Sequence, residues 1–470
     1  MTQRSLADWL AYQEGINPRS IELGLDRVRE VWQRLGAKAP ARRVITVGGT
    51  NGKGSTVAML EAMLQAAGRR VGCYTSPHLL RYNERIRIDG RDAGDAALVG
   101  AFERIEAARG GDATDAIPLT YFEFGTLAAL DLFARAGLDV AVLEVGLGGR
   151  LDAVNIVDAD IAVITTIDLD HMDWLGADRD SIGREKAGIA RAGRPAIVGE
   201  PAPPAGLLDA LAERGARTER AGVDFHVERH VAGWRWRHRD GTALDLPDPP
   251  LAAPVQYANA ATAIAALHAL AAGDGALFAA PGEPGPRSRP GLRDAGHRPF
   301  AGAAEPAVHE GAHAGFAEAV ARGLLHTRVA ARLQHLGGDP ALIVDVGHNP
   351  QAARALAEWL DSRPGGRVHA VYGALSDKDV AGVIAALGAR IGHWHLAGLA
   401  ADTPRGLPAE ALGDTLRRTL PAARFDAHAS VHEALRAARA AARPGERILA
   451  FGSFFVAAAV LEEAGTEARG

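Results

Sequence analysis

The stretch Val44–Thr56, VITVGGTNGKGST, places glycines, Lys53 and the neighbouring hydroxyls of Ser55 and Thr56 directly behind an apolar run. It departs from the common phosphate-loop spelling G-x-x-x-x-G-K-[ST]: the glycine-to-lysine spacing is shorter, and Gly54 separates Lys53 from Ser55. The context is that of a phosphate loop, with a predicted strand at Val44–Gly48 before it and a predicted helix at Lys53–Ala67 after it. Gly48, Gly49, Gly52 and Gly54 let the backbone approach phosphate oxygens, and the helix N-terminus adds its dipole and free N–H groups. Lys53 supplies a point charge between the β- and γ-phosphates, and Ser55 or Thr56 a hydroxyl for magnesium. No asparagine is followed by lysine, so the Asn-Lys-x-Asp guanine signature is missing and ATP is preferred over GTP.

Further residues of this chemical type follow. Glu144 ends a predicted buried strand, where open α/β sheets place ligands, and the glycine-rich turn Val145–Asp152 comes directly after it. The glycines of that turn are explained equally well by a tight strand-to-helix connection. His171, in Asp168-Leu-Asp-His171, sits beyond a strand predicted to end at Ile167. Two potential metal ligands and a phosphate loop on one sheet edge point to a functional site. Lys186, in Ser181–Gly188, reads as lying at the start of a helix, where a lysine gains nothing from the macrodipole, and composition alone makes it a solvated surface residue.

The elements that must position these groups are short β-branched runs alternating with helical patterns, the mark of parallel α/β architecture. Strands are predicted at Val44–Gly48, Val71–Thr75, Asp139–Val145, Asp160–Ile167 and Pro195–Gly199, with a helix at Thr120–Ala136. Val223–Leu246 reads as a small antiparallel excursion. A second α/β series comprises Ala341–Gly347, Val368–Gly373, His393–Gly398, Ala423–Ala429 and Arg447–Ser453, enough for a small doubly wound domain. Residues 1–330 and 331–470 are therefore the expected domains, in keeping with a 470-residue chain too long for one ordinary core. Gly273–His313, rich in proline and glycine, reads as a loop or disordered insertion between helices at Tyr257–Ala272 and Ala314–Leu325.

Composition narrows the class. A net charge of -5 argues against a general nucleic-acid surface, and the single cysteine, Cys73, excludes an intramolecular disulfide and fits a reducing compartment. No long uncharged apolar run exists, and Met1–Leu10 carries Arg4 and Asp8 without a following apolar segment. The expectation is a cytoplasmic protein that engages neither membrane nor nucleic acid.

Taken together, GTNGKGS (49–55), SPHLLRYNERIRI (76–88), TYFEFGTLAAL (120–130), EVGLGGRLDAVN (144–155), DHMDWLG (170–176), REKAGI (184–189), NAATA (259–263) and DVGHNP (345–350) resemble the folylpolyglutamate synthase and dihydrofolate synthase family of Mur-type amide ligases. The resemblance runs from about Trp9 to Gly452, apart from Gly273–His313. It implies an N-terminal ATPase domain of the Mur-ligase type and a smaller Rossmann-like C-terminal domain. It further implies that Thr50, Asn51, Gly52, Lys53, Gly54 and Ser55 hold the ATP phosphates, with Ser55, Ser76 and Glu144 around one magnesium ion. Glu144, His171 and Lys186 would hold a second, Lys186 as a carbamate, which gives that lysine a use. Asn259, Arg332 and Asp345 correspond to ATP contacts joining the domains. Gly15, Ile16, Asn17 and Pro18, with Thr120, Tyr121, Phe122 and Glu123 and with Leu151, Asp152 and Ala153, match segments lining the pteroate site, and glutamate would enter the cleft between domains.

The implied reaction joins L-glutamate to 7,8-dihydropteroate, and then to the γ-carboxylate of folates, through an acyl phosphate, in a monomeric enzyme whose partners are small molecules. Departures from the family pattern are Ala330-Ala-Arg332 in place of Pro-Gly-Arg, Val154 in place of threonine, and Asn17-Pro18 in place of a polar pair. Two alternatives stand beside this reading: a cell-wall ligase of the same fold, and a nucleotide-binding relative without activity. SPHLLRYNERIRI and TYFEFGT weigh against the first, and the retention of Lys53, Glu144, His171 and Lys186 against the second.

Overall fold

The computed structural model describes residues 4–17, 19, 21–111, 113–278, 310–363 and 365–467. The chain divides into two compact units. One comprises 1–78, 83–249 and 257–327, and the other 79–82, 250–256 and 328–470.

The strands of the first unit are β1 (Ala41–Gly48), β2 (Val71–Tyr74), β3 (Ile86–Ile88), β4 (Arg91–Asp92), β5 (Leu138–Glu144), β6 (Ile161–Ile164), β7 (Pro195–Val198), β8 (Arg217–Arg220), β9 (Phe225–His230), β10 (Gly233–His238) and β11 (Ala243–Leu246). The first eight form one sheet in the order β4-β3-β2-β5-β1-β6-β7-β8. It is parallel from β2 to β8, and β3 and β4 add an antiparallel edge. β1, β2, β5, β6 and β7 read from sequence as continuous β-branched runs because both faces of a parallel sheet are covered. β3, β4 and β8 did not, since β4 and β8 are short, polar edge strands and β3 is only three residues long. The antiparallel excursion is present as β9 to β11.

Helix Lys53–Ala66 packs against helix Glu310–His326 so closely that a Cβ on Gly323 would lie 2.4 Å from Met63 Cα. Only glycine fits there. The predicted insertion Gly273–His313 is corrected at both ends. Gly273 closes the helix Gln256–Gly273, Gly275–Phe278 forms a 3-10 turn, and the next helix begins at Glu310. Leu277 and Phe278 are buried, and the Phe278 ring meets Phe316 edge-on with centroids 5.0 Å apart, so apolar burial outweighs the glycine and proline content nearby. The remainder of that segment, 279–309, lies outside the described residues.

The second unit holds β12 (Gln334–Gly337), β13 (Ala341–Val344), β14 (Val368–Tyr372), β15 (His393–Ala397), β16 (Phe425–His428) and β17 (Arg447–Phe451). Their order is β12-β13-β17-β14-β15-β16, parallel except for β12. Apolar side chains cover both faces, with Trp359, Trp394 and Phe451 on one and Val344, Ala397 and Leu435 on the other.

Candidate active site

Four neighbouring strands, β2, β5, β1 and β6, end at the same carboxyl edge, and each is followed by predicted site residues. Ser76 follows β2, Glu144 closes β5, the phosphate loop follows β1, and Thr165–His171 follows β6.

The phosphate loop is strapped to the segment after β6. Thr50 N donates to Thr166 O at 2.8 Å and Asn51 N to Thr166 Oγ1 at 3.0 Å, while Asn51 O accepts from Thr165 Oγ1 at 2.7 Å. Two glycines make this approach possible: a Cβ on Gly49 (φ 142°) would stand 1.9 Å from Thr165 Oγ1, and one on Gly52 (φ 89°) 2.5 Å from Asn259 Oδ1. Asn259, far away in sequence, is thereby placed against the loop. Lys53 Nζ donates to Gly49 O and Thr50 O, at 3.0 and 3.1 Å, and so folds over the loop it follows. Ser55 and Thr56 are buried at the start of the helix, and Thr56 Oγ1 has no hydrogen-bond partner among the described residues. Thr165 and Thr166 were missed from sequence; their signal was a pair of hydroxyls at the end of a β-branched run.

Glu144 is 5% exposed, and its Oε2 accepts from Ser76 N at 3.3 Å. The glycine turn beyond it has a specific packing role. A Cβ on Gly149 would lie 2.9 Å from Glu185 O and 3.1 Å from Lys186 Cα, and one on Gly188 only 2.4 Å from Arg150 Cα. The turn and the end of helix Arg179–Ala187 are pressed together backbone to backbone. Lys186 therefore stands in the last turn of that helix, not at its start as expected, and it is buried rather than solvated, at 4% exposure. Burial, reinforced by the positive charge of Lys53, lowers its amine to about 7, against the pull of Asp170 and Asp152 in the other direction.

His171 lies beyond a strand that ends at Ile164, three residues earlier than expected, because the backbone after Ile164 turns to bind the phosphate loop. It has left-handed backbone (φ 51°) at the N-cap of the short helix Met172–Leu175, and its Nε2 is 3.9 Å from Asp170 Oδ1.

Of the predicted pteroate residues, Phe122 and Asp152 adjoin the same turn. A Cβ on Gly146 would touch the Phe122 ring at 2.5 Å, and Asp152 Oδ2 accepts from Leu147 N at 2.8 Å. Asp152 also caps the 3-10 turn Ala153–Ile156, and burial raises its carboxyl to about 6. Leu151 O accepts from Gly24 N at 3.3 Å. Thr120 and Glu123 form a reciprocal cap on the helix Tyr121–Ala136, with Arg27 Nη2 3.0 Å from Glu123 Oε1. Arg85 stacks over the Tyr121 ring at 5.4 Å. Gly15 and Ile16 line a cavity of about 510 Å³ with Tyr12, Arg109 and Pro118. Asn17 is buried and bonds Pro118 O at 3.0 Å, and Pro18 lies outside the described residues.

Arg332 and Asp345 belong to the second unit. Arg332 sits between two left-handed residues, Ala331 (φ 53°) and Leu333 (φ 46°). Buried Asp345 holds this turn by accepting from Leu333 N at 2.8 Å and from Gly347 N at 2.7 Å. Burial raises the Asp345 carboxyl, and Arg332 opposes the shift.

Known proteins carry the same pattern. Residues 47–198 match the Mur ligase middle domain, and residues 331–454 the Mur ligase glutamate ligase domain. The Escherichia coli (strain K12) dihydrofolate synthase/folylpolyglutamate synthase is 44% identical over 97% of this chain and 95% of its own length. A structure of E. coli FolC in complex with DHPP and ADP superposes with a TM-score of 0.83 at 43% identity, covering 99% of this chain and 98% of that one. A bifunctional folylpolyglutamate synthase/dihydrofolate synthase with Mn, AMPPNP and L-glutamate bound gives a TM-score of 0.80 at 43% identity, covering 98% of each chain.

Proposed function

Because the chain belongs to the dihydrofolate synthase/folylpolyglutamate synthase family of Mur-type ligases, we propose that the carboxyl edge of its first sheet is where ATP activates a carboxylate for attack by glutamate. The activity is ATP-dependent ligation of L-glutamate to dihydropteroate and to folates. The observation that carries the site is the phosphate loop, with Gly49 and Gly52 packed where no side chain fits and Lys53 folded over its carbonyls.

A carboxylate is a poor electrophile at neutral pH. Its oxygen attacks the γ-phosphorus of ATP, ADP leaves, and an acyl phosphate forms. The amine of glutamate then attacks the activated carbonyl, phosphate departs with the former carboxylate oxygen, and the amine loses a proton. Loop N–H groups and Lys53 offset the charge gathered on the phosphates. Thr165 and Thr166 hold the loop in place, and Asn259 backs Gly52.

The donor set fits a hard divalent cation: the Ser55 hydroxyl and the Glu144 carboxylate, with Ser76 hydrogen-bonded to Glu144 through its backbone. Magnesium bound there would neutralise phosphate charge and polarise the transferred group. A second ion would be held by Glu144, His171 and Lys186. An amine lowered to about 7 is substantially neutral at physiological pH, and a neutral amine adds CO2 to give a carbamate with release of one proton. Burial of Lys186 behind the glycine turn thus supports a carbamate at that position, because the carbamate supplies the oxygen ligands that an amine lacks. Phe122 and Asp152, set at the Gly146 turn, would flank the pteroate.

The test is ADP release. It should require magnesium, glutamate and dihydropteroate or tetrahydrofolate together, and equal release without an acceptor would reject the assignment.

A further inference from the structure

The second unit carries a cluster that the ligase reaction does not use. His369 on β14, His393 and His395 on β15, and Asp426 and His428 on β16 occupy adjacent parallel strands. Register sets His369 opposite His393, and His395 opposite Asp426. The rings stack at centroid distances of 4.6 Å for His393 and His395, 5.5 Å for His369 and His395, and 5.8 Å for His395 and His428.

Tracing the protons shows what the cluster offers. The Glu446 carboxylate can only accept, so the proton it shares with His369 Nε2, 3.1 Å away, belongs to the histidine. Neutral His369 then has an accepting Nδ1, and the group facing it at 3.2 Å, His395 Nε2, must donate. His395 is consequently left with a lone pair on Nδ1. That atom is buried in a residue only 1% exposed, and it has no partner among the described residues. His428 Nε2 is likewise buried without one. A packing role alone does not call for such an orphan, since an apolar side chain would fill the space without it. Beside it, His393 Nε2 is 2.8 Å from Asp426 Oδ2, and one donor atom each from His393, His395 and Asp426 lie within 4.8 Å of one another.

We propose that His393, His395 and Asp426 form a binding site for one divalent transition ion of the zinc class, with His428 beside them as a further nitrogen donor. Imidazole nitrogens and a single carboxylate suit zinc, cobalt, nickel or copper, whereas magnesium takes oxygen ligands in octahedral geometry. Glu446 and His369 are positioning residues that fix the tautomer of His395, as carboxylate–histidine pairs do behind metal ligands. A second group, His238, Asp240 and His268 in the first unit, has the same ligand spacing. Among the described residues Asp426 uses Oδ2 alone, whereas both carboxylate oxygens of Asp240 are engaged. Asp240 Oδ1 lies 3.0 Å from His238 Nδ1 and accepts from Thr242 N at 2.9 Å, and its Oδ2 lies 3.2 Å from His268 Nε2. That group serves as the control.

The experiment uses the full chain, stripped with a chelator and kept in excess MgCl2 so that the magnesium site is saturated. Zinc sulfate is titrated by calorimetry, and cobalt chloride by visible absorption. Wild type should take up one zinc ion per chain without competition from magnesium and give tetrahedral cobalt bands. The double variant His393→Gln/Asp426→Asn changes only part-exposed or exposed side chains and should keep its circular dichroism while binding at least about tenfold more weakly. Glu446→Gln can present a donor to His369 and so reverse the proton order, and it should weaken binding about tenfold without touching a ligand. His238→Gln should bind as wild type does. Loss in the double variant and weakening in Glu446→Gln, with His238→Gln unchanged, uphold the site. No uptake by wild type, uptake unchanged in the double variant, or loss in His238→Gln instead would overturn it.

Discussion

Two lysines stand close to one sheet edge, and their surroundings differ. Lys53 follows a loop of glycines and turns back to donate to the carbonyls of Gly49 and Thr50, in a frame made almost entirely of backbone. Lys186 is buried at the end of a helix against the turn Val145–Asp152, and its amine is brought down to about 7. The first is a cation suited to anionic phosphates. The second is an amine made substantially neutral near pH 7 by desolvation, as the proposed carbamate requires. The same side chain is thus suited to opposite chemistry according to what covers it.

Substituting each lysine sharpens the contrast most. Lys53→Ala and Lys186→Ala should each lower turnover by roughly a hundredfold or more, about 3 kcal/mol of transition-state stabilisation. Acetate or another small carboxylate should restore part of the activity of Lys186→Ala and none of Lys53→Ala, as followed by ADP release. Equal rescue of both would erase the distinction.

The packing of the two frames gives a smaller effect. Gly49→Ala drives a Cβ into Thr165, and Gly149→Ala drives one into Glu185 O and Lys186. Each should cost about 1–3 kcal/mol in stability, measured by urea denaturation. Gly49→Ala should raise the KM for ATP, whereas Gly149→Ala should lower kcat and leave that KM nearly unchanged.

The pH dependence of stability isolates the buried amine. Folding lowers Lys186 from 10.5 to about 7, so between these values the unfolded chain binds more protons and stability rises with pH. Below about 7 both states are protonated, and the cost of the buried ammonium is fully present. In CO2-depleted, metal-free protein, Lys186→Met should melt higher than wild type at pH 6, and the gap should close toward pH 10. A gap independent of pH would mean that the amine is not desolvated.

The smallest effect concerns the strap on the loop. Thr166→Val removes the bond from Asn51 N to Thr166 Oγ1 and should cost about 1 kcal/mol, visible as a few-fold rise in the KM for ATP with kcat retained.

The two regions also differed in how far sequence revealed them. The phosphate loop was legible because its requirements are local: an apolar strand, glycines with positive φ, a lysine and a helix start, all within Val44–Ala66. The core strands were legible for the same reason. Lys186 was not, since its burial depends on Gly149 and Gly188 meeting the helix end across the fold, and only a family resemblance pointed to its use. Its position in the helix was misread because Asp178, the actual N-cap, lies upstream of the segment taken as the helix start. Edge strands β4, β8 and β12 carry too few apolar residues to announce themselves, and β3 is only three residues long. Leu277 and Phe278 escaped because the glycines and prolines around them dominate the composition.

The central claim is that ATP activates the acceptor carboxylate before glutamate attacks it. Dihydropteroate labelled with 18O in its carboxylate, turned over with ATP, magnesium and glutamate, tests it directly by mass analysis of the phosphate released. The account predicts one 18O transferred to phosphate for each ADP formed. Phosphate free of label, at a rate matching ADP production, would contradict it.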